Sequence, residues 1–62
     1  MITVKWNVTL KKEDIDTTNV LVTTTAFTIQ EARVKMGELI EGLLKEGWEL
    51  HFTSIKEIIK EG

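Results

Sequence analysis

The segment Ile2–Lys12, with the sequence ITVKWNVTLKK, decides how the rest of the chain can be arranged. Apolar residues occupy every second position from Ile2 to Leu10, and polar residues occupy the positions between them. A period of two over this length, with β-branched and aromatic side chains on the apolar face, predicts a β-strand. The chain therefore begins with a strand whose one face must be covered by another element.

A second strand is predicted at Val20–Phe27, VLVTTTAF, because six of its eight residues favour strands strongly. The polar segment Glu13–Asn19 predicts a hairpin loop, longer than two residues because it lacks an Asn-Gly or Asp-Gly turn. We expect the even-numbered residues of the second strand to be buried. The alternative is that the odd-numbered residues are buried instead. The residues placed inward are Val20, Val22, Thr24 and Ala26, and those placed outward are Leu21, Thr23, Thr25 and Phe27.

A helix is predicted to begin after Thr28. Thr28 and Glu31 have the spacing of a capping box, in which the hydroxyl accepts from the amide of residue 31 and the carboxylate reaches back to the cap. The apolar residues that follow recur with a period of 3.6 and form one stripe for burial. They are Ile29, Ala32, Met36, Leu39, Ile40, Leu43 and Leu44.

The helix is predicted to end at Gly47, which takes the left-handed conformation of a helix stop at low cost. Trp48 follows, and in this stop motif the residue after the glycine packs on the residue three before the cap, here Leu43. A third strand then begins. We expect Trp48, Leu50 and Phe52 to face inward and Glu49, His51 and Thr53 to face outward.

The segment after Thr53 allows two structures. Ser54–Glu57 fits a second capping box, and Ile55, Ile58 and Ile59 are spaced for one helical face, which favours a short C-terminal helix. The alternative is a strand that continues through a bulge. The prediction is one α+β domain over residues 1–62, a ββαβ chain with a mainly antiparallel sheet in the order 2-1-3 and the long helix on one face.

Size and composition restrict the classes of function. The chain has 62 residues, a net charge of -2, no cysteine and one histidine, which excludes disulfides, thiolate zinc sites and multi-histidine metal sites. An acidic balance gives no general attraction to nucleic acid or to anionic membranes. We expect a cytoplasmic protein, because the first residues lack the pattern of a signal peptide. We also expect no cofactor.

No residue pattern supports catalysis. His51 is the one histidine of the chain, but no serine, cysteine or aspartate lies at an interpretable spacing from it, and phosphate-binding motifs are absent from the sequence. The acidic loop, with Glu13, Asp14 and Asp16, lacks the glycine and glutamate of a calcium-binding EF-hand loop. We therefore expect no enzyme and no metal site, and assign His51 and Glu49 only as candidate contacts with a ligand or partner.

Nucleic-acid binding is the least favoured hypothesis. Trp6 and its neighbours Lys5, Lys11 and Lys12 combine an aromatic ring for stacking with cations for phosphates. The alternation of the first strand points Trp6 toward the core and Lys5 toward the other face, so the two do not form one surface.

The stretch Thr17–Gln30 has no charged residue, although 29% of the chain is charged. In the order 2-1-3 its strand is an edge, and natural sheet edges are usually protected by lysine, proline or a bulge. We therefore predict a homodimer that pairs through residues 20–27, with Leu21, Thr23, Thr25 and Phe27 at the self-association site. A tail folded over this edge is the alternative.

The predicted function is a small non-enzymatic protein-interaction module, of the compact regulator or inhibitor type that phages and mobile elements carry. The alternative function is ligand binding: an oligomer that binds a small ligand at the subunit junction, near Trp6, Phe27 or Trp48.

The junction Glu46-Gly47-Trp48-Glu49-Leu50 resembles a group of small bacterial domains of unknown function. In those domains a helix is followed by the same five residues and then by a strand. The five matching residues are about a twelfth of the 62-residue chain. It implies the helix-to-strand connection and brings no active site with it.

Overall fold

The computed structural model of the protein describes residues 1–13 and 15–61, so Asp14 in the predicted acidic loop and Gly62 lie outside it. The described elements, in order, are β1 (Ile2–Lys12), β2 (Asp16–Ala26), α1 (Ile29–Lys45) and β3 (Glu49–Lys60). The strands form one antiparallel sheet in the order β2-β1-β3, and α1 packs on one of its faces. The predicted α+β architecture is confirmed.

The β1–β2 hairpin is longer than predicted. Its register runs without interruption from Ile2 opposite Ala26 to Lys12 opposite Asp16, so the predicted loop over 13–19 is too long. The turn closes tightly because Glu13 takes a left-handed conformation, with φ of 52°, and the Ile15 amide donates to the Lys12 carbonyl at 3.1 Å. The sequence did not indicate this conformation, because a positive φ is uncommon for a residue other than glycine.

The core lies between the apolar face of β1 and the helix. Trp6 is the largest buried side chain, with only 2% of its surface exposed. The predicted facing of β2 is confirmed, since its inner residues Val22, Thr24 and Ala26 are buried. The Trp6 indole Nε1 donates to Thr24 Oγ1 at 2.9 Å, which explains why a threonine lies inside the core.

Replacing Thr24 with valine is expected to lower the free energy of unfolding by about 1–3 kcal/mol, because the buried indole N–H loses its acceptor. Serine at the same position retains the hydroxyl and serves as the control. Urea unfolding followed by circular dichroism measures both losses. A valine variant as stable as the wild type would show that this hydrogen bond contributes nothing.

Both ends of α1 have the predicted caps. Thr28 Oγ1 accepts from the Glu31 amide at 3.1 Å, while the Glu31 carboxylate reaches back one residue further than expected, to the Phe27 amide at 3.4 Å. At the other end Gly47 has φ of 99°, and the Trp48 amide donates to the Leu43 carbonyl at 3.2 Å. Trp48 packs against the core here.

Replacing Gly47 with alanine is expected to cost about 1–2 kcal/mol of unfolding free energy, because a side chain disfavours the left-handed conformation. The space itself is sufficient, since an added Cβ would lie 3.6 Å from Lys12 Cε. Gly37→Ala is the control: it lies inside α1, and an added Cβ has no described atom within 4 Å, so we expect a gain in stability. Thermal unfolding of the two variants distinguishes the effects.

The short C-terminal helix favoured by the sequence does not form, because residues 54–60 continue β3. The register against β1 shifts twice, so His51 and Lys56 are extra residues in β3. The bulge at Lys56 places Ile55 opposite Trp6 and Ile58 opposite Val4, both on the helix side. A spacing of three, which is typical of a helix, arises here from a bulged strand.

The bulge at His51 also corrects the predicted facing of β3. Leu50 lies opposite Leu10 on the helix side, but Phe52 lies opposite Thr9 on the other face of the sheet. Both side chains remain exposed, at 50% and 60%, so the prediction that they are buried together is wrong. The extra residue reverses the alternation between them.

Candidate interaction surface

The two edges of the sheet differ in how they are protected. Within residues 1–13 and 15–61, β2 pairs only with β1, and its register is regular along its whole length. The opposite edge, β3, has two bulges and a row of charged or titratable side chains, and both features discourage strand pairing. Those side chains belong to Glu49, His51, Lys56, Glu57 and Lys60.

The four residues predicted for self-association lie together along β2. Leu21, Thr23 and Thr25 are exposed on the open face of the sheet, opposite the helix, and Phe27 is exposed just beyond the end of the strand. The Thr25 hydroxyl lies 3.4 Å from that of Thr3 on the neighbouring strand. The open face of β2 itself is therefore uncharged and rich in threonine, while Lys5 of β1 lies opposite Thr23 on the same face.

One side chain partly covers the edge of β2. Lys35 of α1 donates from Nζ to the Thr25 carbonyl at 2.7 Å. This bond occupies a backbone acceptor close to the end of the strand and leaves the stretch from Thr17 to Thr24 without such a lysine contact among the described residues. The sequence did not indicate it, because Lys35 is also spaced for a helical pair with Glu31.

The helix extends the β2 edge into a second layer. Lys35, Glu38 and Leu39 line a surface cavity of about 400 Å³ together with residues 23–25 of β2. Leu39 is 63% exposed, so its predicted place in the core is wrong. The apolar stripe of α1 is wider than the area that the sheet covers, and its margins remain in solvent.

The candidate contacts His51 and Glu49 lie on the other edge of the molecule. Both are exposed on β3, and β1 separates them from β2. In the described part of the chain, no three histidine, aspartate or glutamate side chains are grouped so that they could hold a metal ion. The structure therefore does not join these two residues to the self-association residues.

The tryptophans make intramolecular contacts. The Arg33 guanidinium lies 5.7 Å from the centre of the buried Trp6 ring, and Lys12 Nζ lies 5.6 Å from that of the half-buried Trp48. Cations at these distances interact favourably with aromatic faces. Because Trp6 is buried, its ring is not available for stacking with a nucleic-acid base or a ligand.

Comparison with known proteins gives no further guide, because no protein-family model, curated protein or solved structure matches this chain. The functional argument therefore depends on the surfaces described above. Among residues 1–13 and 15–61, no helix is long and apolar enough to cross a membrane.

Proposed function

We propose that this protein is a small, non-enzymatic protein-interaction module that works in the cytoplasm as a homodimer. In this proposal β2 pairs with β2 of a second copy across a two-fold axis. The observation that carries the proposal is the contrast between the edges: β2 is regular and uncharged from Thr17 to Ala26, whereas β3 is bulged and charged.

An axis perpendicular to the sheet near Thr23 suits the distribution of residues. It places Leu21 opposite Thr25 of the copy and Val22 opposite Thr24, so each face continues across the junction once the Lys35 ammonium leaves the Thr25 carbonyl. No like charges meet along this edge, because residues 17–26 carry none. The result is a six-stranded sheet with both helices on one face.

Dimerisation also compensates for the small hydrophobic core of a domain of this size. A chain of 62 residues buries only about 60% of the surface that its unfolded form exposes, and oligomerisation is a common compensation. The dimer presents two copies of the threonine-rich open face to a protein partner. We place it among the compact regulators or inhibitors of the kind that phages and mobile elements carry.

Sedimentation equilibrium over a wide concentration range tests the proposal. We expect the wild type to reach twice the chain mass of 7.1 kDa, and Thr23→Lys to raise the dissociation constant at least about tenfold, because two lysines would meet near the axis. Ser54→Lys is the matched control, since it places the same charge on the open face at the β3 edge. A wild type with the mass of one chain at all concentrations would refute the proposal.

A further inference from the structure

We infer that α1 takes part in the same self-contact, so that the dimer is held by two layers: the paired β2 strands and the two helices packed against each other. The helical part is the flank formed by Lys35, Glu38, Leu39 and Gly42. This inference depends on the proposed pairing of β2 and adds to it the residues that complete the interface.

The spacing of the elements brings the helices together. In the protein, α1 packs mainly on β2 and to a smaller extent on β1, so its axis lies between the two strands and nearer the edge. Paired strands lie about 4.8 Å apart, and a two-fold axis beside β2 therefore sets the helix axes about 10 Å apart. Packed helices are separated by about 8–10 Å, so the two flanks meet.

The flank has the side chains of a helix contact. Leu39 is a large apolar side chain that the protein's own core leaves exposed beside β2. Gly42, three positions further along the same flank, has no described atom within 4 Å of the place where a Cβ would stand. The two-fold axis makes the helices antiparallel. Because Lys35, Glu38 and Leu39 lie beside residues 23–25, an axis near Thr23 meets α1 close to Glu38 and sets Leu39 beside Lys35 of the copy.

The charges on this flank are complementary across the axis. Lys35 and Glu38 lie on either side of the point where an axis near Thr23 meets α1, so antiparallel helices bring Lys35 of each copy toward Glu38 of the other. A second copy of the chain therefore fits this flank in shape and in charge.

The first test compares two substitutions on the same helix. Leu39→Lys is expected to raise the dimer dissociation constant at least about tenfold, because it places a charge in the middle of the helix contact. Val34→Lys is the matched control. Val34 is 59% exposed, similar to the 63% of Leu39, but it lies on the outer face of α1. We expect the control to leave the dissociation constant within about twofold of the wild type.

Crosslinking provides a second readout that does not depend on the affinity. The chain has no cysteine, so Leu39→Cys and Val34→Cys each introduce a single thiol. A short bis-maleimide is expected to join two chains through residue 39 and not through residue 34. Absence of the residue-39 crosslink in a sample that sedimentation shows to be dimeric would overturn the helix contact.

The outcomes separate this inference from the proposed function. A wild-type dimer that Thr23→Lys dissociates, but that Leu39→Lys leaves unchanged, overturns the helix contact and retains the strand pairing. A monomeric wild type overturns both. A dimer weakened by Thr23→Lys and Leu39→Lys, but not by Val34→Lys, supports both layers.

Discussion

Replacing Trp6 with alanine is expected to remove a large part of the free energy of unfolding. The indole is 2% exposed, lies opposite Val22 on β2 and Ile55 on β3, and donates a hydrogen bond to Thr24. Removing a buried aromatic side chain costs about 3–5 kcal/mol. A chain of this length has about 3–9 kcal/mol of total stability, so the loss is a third of it or more.

Trp48→Ala is the matched control for Trp6→Ala. Trp48 is only half-buried and packs at the margin of the core, where the helix ends. We expect it to lose about half as much stability or less, because a smaller part of its surface leaves water on folding. Urea unfolding followed by circular dichroism compares the two variants. Equal losses would contradict the central position assigned to Trp6.

Removing residues 54–62 is expected to prevent folding. The segment 54–60 pairs with β1 from Ile2 to Asn7, and it places Ile55 and Ile58 beside Trp6 and Val4. Without it, half of the central strand becomes an edge whose buried face has lost its neighbour. An isolated hairpin under one helix retains too little apolar burial to offset the entropy of folding.

The control for this truncation ends the chain after Lys60, which removes the contact between Glu61 and the first residue but keeps β3 intact. We expect it to fold with nearly wild-type stability. Amide dispersion in an NMR spectrum reports on both chains. A folded 1–53 chain would contradict the role of the C-terminal strand segment in completing the sheet.

The first strand and both ends of the helix were predicted correctly, because each depends on interactions between residues close together in the chain. The alternation from Ile2 to Leu10 predicted β1, and Thr28 and Gly47 predicted both ends of the helix within a residue. Each signal arises within a few consecutive residues: a pleat with two faces, a hydroxyl that accepts from an amide, and a glycine with positive φ. These features do not depend on what the rest of the chain does.

The errors occur where a partner strand decides the outcome. The bulges at His51 and Lys56 follow from pairing with β1: the first reverses the facing from Phe52 to Ile55, and the second restores the original alternation. The spacing of Ile55 and Ile58 suits a helix and a bulged strand equally. The sequence alone does not distinguish them, because the choice depends on Val4 and Trp6, about fifty residues earlier.

The outward facing of β2 was predicted, whereas the exposure of Leu39 on α1 was not. The period of two along β2 placed Leu21, Thr23 and Thr25 on one face, and the favoured one of two possible facings put them outward. The 3.6 period assigned Leu39 to the core, since a helical stripe shows which residues are apolar but not how wide a surface covers them. An apolar helical stripe broader than the area that two strands can bury is the signal that would have indicated an exposed margin.

Hydrogen exchange at the β2 amides that point away from β1 tests the pairing of β2 most directly. If β2 pairs with a copy, these amides between residues 20 and 26 are protected at high protein concentration and lose protection on dilution or in Thr23→Lys. The outward amides of β3 are expected to exchange rapidly at both concentrations. Outward β2 amides that exchange as fast as those of β3 at every concentration would contradict the pairing of β2.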